Sequence, residues 1–170
     1  MKTLALPLGI LGIFALSSPT FADLRVEFIE GAPKDRFVMT NLGDCALGKG
    51  QFEIDFTGSS AGLVFDVTSE GAGVEVFQPF EVTAGAENLT EQPKITDGDQ
   101  RAVLDISGLG ADETIAFTID VDDTIGTRAI TVADSEINGT TVSLTAEGRR
   151  FSAVMEDEAQ VLLTTPDCDS

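Results

Sequence analysis

The sequence contains no histidine, no tryptophan and no tyrosine. Without histidine, neither the Ser-His-Asp and Cys-His catalytic systems nor the usual zinc and non-haem iron sites can be built from this chain. The common aromatic platform for stacking sugars is also missing, since only 11 phenylalanines could supply one. These absences remove most of the common catalytic chemistries.

Basic residues are scarce. The chain has 10 Lys and Arg residues against 29 Asp and Glu residues, which gives a net charge of −19 at pH 7. Such a surface repels nucleic-acid phosphates and anionic lipids, and it attracts cations. We therefore expect no nucleic-acid partner and no adsorption to anionic membranes.

Long hydrophobic runs are also few, and the clearest one is Leu4–Leu16. This run is too short to span a bilayer, but it follows the positive charge of Lys2. Residues 20–22 (TFA) then place small side chains at the two positions that a signal peptidase reads. The pattern predicts a signal peptide over residues 1–22 and an exported, single-domain protein over 23–170. That domain would be periplasmic or extracellular and would have no membrane-spanning segment.

There are only two cysteines, Cys45 and Cys168. In an exported protein such a pair predicts a disulfide, which in the chain-entropy model would stabilise by at most roughly 4.8 kcal/mol. A free catalytic thiol is the alternative. It has no histidine to activate it, and the aspartates beside both cysteines would raise its pKa.

What the sequence has in abundance is short runs that alternate apolar and polar residues. The intervening residues are mostly Thr, Ser, Asp or Glu, so one face of each run would be wet, as in antiparallel sheets packed against each other. The pattern predicts an all-β fold, an antiparallel β-sandwich of the Ig-like or Greek-key type with roughly eight to eleven strands, and a closed barrel is the alternative. The candidate strands are Leu24–Glu30, Arg36–Asn41, Gln51–Thr57, Gly62–Thr68, Gly73–Phe77, Phe80–Thr83, Ala102–Ser107, Thr114–Asp122, Ala129–Ala133, Thr140–Ala146, Arg149–Met155 and Gln160–Thr164.

Turn residues separate these runs. Asn138-Gly139 precedes a Thr/Val strand and is a candidate hairpin turn. The longest stretch without strong periodicity is Gly85–Asp99, which we expect to form a surface excursion.

The most acidic strand end is in Ala116–Arg128 (AFTIDVDDTIGTR). Asp120 and Asp122 would share the wet face of the strand, and Asp123 would enter the following turn. Oxygen ligands from a strand end and a loop suit Ca²⁺, so these three aspartates are the candidate metal ligands. An EF-hand register starting at Asp120 fails because Ile125 stands where that loop needs glycine. Further ligands could come from Asp97/Asp99, Glu30/Asp35 and Asp134/Glu136.

Two alternatives to a calcium site stay open. With 29 acidic residues, a cluster of three is also expected by chance. A pair of carboxylates could instead perform general acid–base chemistry, as in glycoside hydrolysis, although the missing Trp and Tyr argue against a sugar cleft.

Four segments together resemble a known family: EGAPKDRF (30–37), GAGVEVFQPF (71–80), FTIDVDDTIGTR (117–128) and SEINGTTV (135–142). They are similar to small exported proteins of marine-type Alphaproteobacteria described as "aggregation factor core", after the core (wreath) segment of sponge proteoglycan aggregation factors. The resemblance implies an exported all-β module in calcium-dependent cell–cell or matrix association. It brings no ligand set and no catalytic motif.

We therefore expect an exported, non-catalytic acidic module in cell-surface adhesion or aggregation, assisted by Ca²⁺. Its partners would be other cell-surface or matrix molecules, or further copies of itself. The alternative is a periplasmic or secreted hydrolase or lyase that depends on carboxylates or a metal.

Overall fold

The computed structural model describes residues 22–68, 78–125 and 131–165. These residues form ten β-strands and one short 3-10 turn at Ala86–Asn88, with no α-helix in the described ranges. The all-β prediction is confirmed. The strands are β1 (Ala22–Ile29), β2 (Asp35–Asn41), β3 (Gly50–Asp55), β4 (Val64–Asp66), β5 (Glu81–Ala84), β6 (Arg101–Ile106), β7 (Thr114–Asp122), β8 (Thr141–Ala146), β9 (Arg149–Val154) and β10 (Gln160–Thr165).

The strands form two antiparallel sheets. Sheet I has the order β10-β1-β2-β7-β4, and β5 also pairs with β7; sheet II has the order β6-β3-β8-β9. The first and last strands are neighbours in sheet I, with Ala22 opposite Thr165. Because every strand pair is antiparallel, one face of each sheet can be wet while the other is buried, as the alternation predicted.

One hydrophobic core lies between the sheets, and phenylalanines join its two halves. Phe37 on β2 has its ring centroid 5.2 Å from that of Phe28 on β1 and 5.3 Å from that of Phe117 on β7. It also lies 6.3 Å from Phe56, which follows β3 in the other sheet. All four side chains are buried. The two sheets therefore pack in a sandwich-like arrangement around a shared core.

Among the described strands β7 is the longest, and its partners change along its length. Its first residues pair with β2 as far as Ile119, which lies opposite the first residue of β2. On its other side, β7 pairs first with β5 and then, over Asp120–Asp122, with β4. The end of β7 therefore runs past the beginning of β2 while it is still paired with β4. This geometry positions the acidic residues of the predicted site.

Two local predictions are wrong, and a third lies outside the described residues. Thr131–Ala133, the described part of the predicted strand Ala129–Ala133, is not a strand, since the Ala133 carbonyl and amide both bond to Glu136 in a turn. Asn138-Gly139 is a turn, but no strand precedes it, so the predicted hairpin is wrong. The predicted strand Gly73–Phe77 lies outside the described residues.

The described residues include only one of the two cysteines of the predicted disulfide and only the last residue of the predicted signal peptide. No described cysteine is free, and Asn41 Nδ2 donates a 2.7 Å hydrogen bond to the Cys45 carbonyl. Cys168 and residues 1–21 lie outside the described ranges, so the disulfide and the signal peptide stay predictions. In the described part of the chain, no helix is long and apolar enough to cross a membrane.

Candidate functional site

The three predicted ligands lie at the end of β7, and all three are buried. Asp120 is 6 % exposed, Asp122 is 4 % exposed and Asp123 is 2 % exposed. The prediction that Asp120 and Asp122 face solvent is therefore wrong. Alternation along a strand tells which side chains share a face, but it does not tell whether another part of the chain covers that face.

Segments that are distant in sequence form backbone hydrogen bonds with this strand end or with its partner strand β4. Strand β4 pairs with it directly, and Asp120 N–H donates to the Gln78 carbonyl at 3.3 Å. On the outer side of β4, the Phe65 amide and carbonyl bond to Asp99 and Gly98 at 2.9 Å each. After β7, the amides of Thr124 and Ile125 both donate to the Ala61 carbonyl at 3.1 Å. The aspartates are thus enclosed by long-range contacts.

The β4–β7 pairing adds a fourth aspartate, which the sequence patterns did not single out. Asp66 lies directly opposite Asp120, and Asp122 lies two residues further along β7. Residues opposite each other in an antiparallel pair point to the same face, so Asp66, Asp120 and Asp122 share one face. We call these three residues the aspartate cluster. Asp66 is only 3 % exposed, and a side-chain hydrogen bond joins it to Asp122.

Burial and repulsion by neighbouring carboxylates disfavour ionisation of Asp66 and Asp120. Burial raises the pKa of Asp120 to about 7, and the charges of Asp122 and Asp66 add to the rise. Burial likewise raises the pKa of Asp66 to about 6, with contributions from Asp122 and Asp97. Only carboxylates appear among the charges that act on these two groups. A neutral or cation-bound state of the cluster is therefore favoured over a fully ionised one.

Asp35, at the start of β2, lies against the same strand end. Its carboxylate accepts hydrogen bonds from the Gly31 amide, at 3.1 Å, and from the Val121 amide. Asp120 accepts from the Val121 amide as well. Burial raises the pKa of Asp35 to about 7, and the charges of Asp120 and Glu30 raise it further.

The other acidic pairs proposed from the sequence divide into two groups. Glu30/Asp35 and Asp97 are electrostatically linked to the aspartate cluster through Asp120 and Asp66, respectively. Asp97 accepts hydrogen bonds from the Thr68 hydroxyl and from the amides of Thr68 and Val67, and these hydrogen bonds lower its pKa. Asp99 and Glu136 instead close local turns at Thr96 and Ala133. The exposed Asp134 has no described contact with the cluster.

One buried carboxylate oxygen in the cluster has no hydrogen-bond partner among the described residues. Oδ2 of Asp120 is buried and accepts no hydrogen bond from any described residue. A buried carboxylate oxygen without a partner is costly, whereas a bound cation would satisfy it. In addition, none of the ion pairs formed by described residues includes Asp35, Asp66 or Asp120.

The donor chemistry fits a hard cation, but the site is not preformed. Calcium takes six to eight oxygen ligands in flexible geometry, and carboxylates are its usual protein ligands. Among residues 22–68, 78–125 and 131–165, no group of three or more candidate ligands is already arranged to hold a metal ion. Calcium binding would therefore have to release the protons of Asp66 and Asp120 and draw the side chains of the cluster together.

Two cavities formed by described residues lie away from these aspartates. One, of about 410 Å³, lies beside β5 and is lined by residues that include Phe80, Val82 and Leu89. The other, of about 460 Å³, lies between the end of β9 and the start of β10. Neither is lined by a member of the aspartate cluster.

The fold and the site together define an acidic, antiparallel all-β protein with a buried carboxylate cluster at one sheet edge. No family model, no curated protein and no solved structure matches the chain.

Proposed function

We propose that this chain is an exported, non-catalytic module of cell-surface adhesion or aggregation that uses Ca²⁺ bound at the aspartate cluster. The proposal takes the fold to be an Ig-like or Greek-key sandwich closed by a Cys45–Cys168 disulfide. Asp120 and Asp122 would be the principal ligands, Asp66 would supply a third carboxylate, and Asp123 would contribute from the strand end. The observation that carries the proposal is the buried Asp120 Oδ2, which no described group satisfies.

The overall charge supports a role for a divalent cation. Two surfaces of a chain with a net charge of −19 repel each other, and this repulsion falls when bound cations neutralise carboxylates. Calcium would therefore act at two levels: it would stabilise the end of β7, and it would permit close approach to an acidic surface. The partners would be other cell-surface or matrix molecules, or further copies of this chain.

Calcium binding should be measurable by calorimetric titration and by thermal unfolding. If Ca²⁺ binds only the folded state, a hundredfold excess over Kd is expected to stabilise it by about 2.7 kcal/mol, and EDTA should reverse the effect. The double variant Asp120→Asn/Asp122→Asn should lose both the heat of binding and the stabilisation. Asp112→Asn is the matched control, since Asp112 is exposed and its left-handed conformation (φ 60°) also suits asparagine.

Adhesion is tested separately with protein-coated beads. Beads carrying the wild-type chain should cluster in millimolar Ca²⁺ and disperse in EDTA, and beads carrying the double variant should stay dispersed. Absence of any calcium response in the titration would refute the calcium site. Tight binding without bead clustering would refute calcium-bridged self-association and leave a different surface molecule as the partner to test.

A carboxylate-dependent hydrolase or lyase is the second candidate. The raised pKa values of Asp66 and Asp120 favour it, because a general acid works best when its pKa is close to the working pH. The two cavities described above do not include these residues, so the non-catalytic role is preferred. Turnover of a polysaccharide or ester substrate that disappears in Asp120→Asn would reverse this preference.

A further inference from the structure

The outer edge of β10 carries backbone groups that no described strand uses. The amide of Phe28 on β1 donates to the Ala159 carbonyl at 2.8 Å. Together with the register of the two strands, this bond shows which residues of β10 direct their backbone groups toward β1. Because the bonding direction alternates along an antiparallel strand, the N–H and C=O groups of Gln160, Leu162 and Thr164 point away from β1. In the described part of the chain, β10 has no second neighbour.

The other outer edges among the described strands carry features that discourage pairing with another chain. Strand β9 presents Arg149 and Arg150, which also form ion pairs. Strand β6 is partly covered, since Leu89 bridges to Ile106 and the Thr90 amide donates to the Asp105 carbonyl. Strand β4 is only three residues long, and β5 is short and shifts its register.

Strand β10 has none of these features. Its sequence, QVLLTT, contains no charged residue and no proline, and its pairing with β1 has no bulge. Leu162, at its centre, is 46 % exposed. A regular, uncharged edge of six residues is the type of edge to which another protein adds a strand.

A groove beside this edge indicates the chemistry of the added strand. The cavity of about 460 Å³ at the β9–β10 turn has an apolar part formed by Val154, Val161 and Leu162. Its acidic part is formed by Glu156, Asp157 and Glu158. None of the ion pairs among described residues includes these three acids. The groove therefore suits a segment that carries both apolar and basic side chains.

We propose that the outer edge of β10 is a strand-addition site for an extended segment of another protein in which apolar and basic residues alternate. Backbone hydrogen bonds to Gln160, Leu162 and Thr164 would hold the segment, and the acidic groove would select its basic side chains. A second copy of this chain is a poor occupant because its net charge is −19. The site lies at the opposite edge of sheet I from the aspartate cluster, so binding there does not require calcium.

The probe is a ten-residue peptide of alternating lysine and valine, blocked at both ends and labelled for fluorescence anisotropy in EDTA at low salt. Saturable binding is expected. The Leu162→Lys variant should bind at least about tenfold more weakly, since it places a like charge at the centre of the edge. Thr83→Lys is the matched control because it adds the same charge to exposed β5 at the other edge of sheet I, and it should bind like the wild type.

Two further peptides separate strand addition from simple charge attraction. A peptide of similar charge with prolines in place of two valines cannot form a continuous strand ladder, and it should bind more weakly. A peptide of alternating glutamate and valine should not bind. Equal binding of the lysine peptide to wild type and Leu162→Lys, or equal binding of the proline peptide, would overturn the proposal.

Fold and self-association are checked in parallel. Circular dichroism shows whether Leu162→Lys is folded, and Thr164→Lys, at another exposed edge position, serves as a second variant if it is not. Sedimentation of the wild type in EDTA without peptide should show a monomer. A dimer that Leu162→Lys dissociates would assign the edge to a second copy and overturn the proposed partner.

Discussion

In the presence of EDTA, the protein is expected to lose stability as the pH rises from about 5 to 8. Unfolded aspartates titrate near 3.8, whereas the pKa values of Asp35 and Asp120 in the folded protein are about 7. The folded state therefore holds protons that the unfolded chain has already released. The stabilisation from these neutral carboxyls is complete below pH 3.8 and is lost as the pH rises through 7.

The expected size of this effect is large. A rise in pKa from 3.8 to about 7 corresponds to roughly 4 kcal/mol for one carboxyl group over the whole titration, and roughly 3 kcal/mol of this is lost between pH 5 and 8. Urea denaturation at several pH values should show the decline, and saturating Ca²⁺ should reverse it at pH 8. Asp120→Asn removes the charge, so in EDTA at pH 8 it should be more stable than the wild type by a few kcal/mol, and this advantage should shrink as the pH falls below 7 and vanish below pH 3.8.

The exposed Asp112 again provides the control. Asp112→Asn changes the net charge equally, but it should keep the wild-type dependence of stability on pH. A flat profile between pH 5 and 8, or a destabilised Asp120→Asn at pH 8 in EDTA, would contradict the assignment of raised pKa values to these buried aspartates. A decline that calcium does not reverse would support the pKa values and reject the cation site.

Phe37→Ala is expected to give the largest loss of stability from a single core substitution. Truncation of a buried phenylalanine typically costs about 3–5 kcal/mol through lost transfer free energy and the cavity left behind. Phe37 contacts phenylalanines on both of its neighbouring strands and one from the other sheet. Its neighbours belong to separate rigid elements, so we expect little collapse around the cavity and a loss near the upper end of this range.

The comparison variant is Phe151→Ala on the outer strand β9, where the side chain is partly exposed and Arg149 lies over its ring. Its loss of stability should be less than half that of Phe37→Ala, as measured by urea denaturation with unchanged slopes. Equal losses would mean that the two sheets are not held together by the Phe37 contacts.

Much of the fold could be predicted from period-two alternation. The predicted strand Thr114–Asp122 agrees with β7, because its apolar residues Ile115, Phe117, Ile119 and Val121 repeat without interruption. The prediction for residues 129–133 was wrong over its described part. That run is also apolar and β-branched, but Glu136 closes a turn onto Ala133, and this local hydrogen bond was not visible in the periodicity.

The candidate site was harder to predict than the strands. The position of Asp120 and Asp122 on one face follows from their spacing alone. Their burial could not be predicted because the segments around them, β4 and the loop at Asp99 that bonds to β4, are distant in sequence. Asp66 joins them only through the register of β4 against β7. That register sets Asp66 opposite Asp120, and no local signal in the sequence specifies it.

The pairing of the first strand with the last has a mechanical consequence. Ala22 and Thr165 lie opposite each other, so the chain enters and leaves the fold at the same corner of sheet I. A force applied between these two points would open the β1–β10 ladder one hydrogen bond at a time, as a zipper opens, and would not load all the bonds together. Under tension applied directly between Ala22 and Thr165, the β1–β10 pairing would therefore yield at low force. A load-bearing attachment would have to pass through one end of the fold and a side surface.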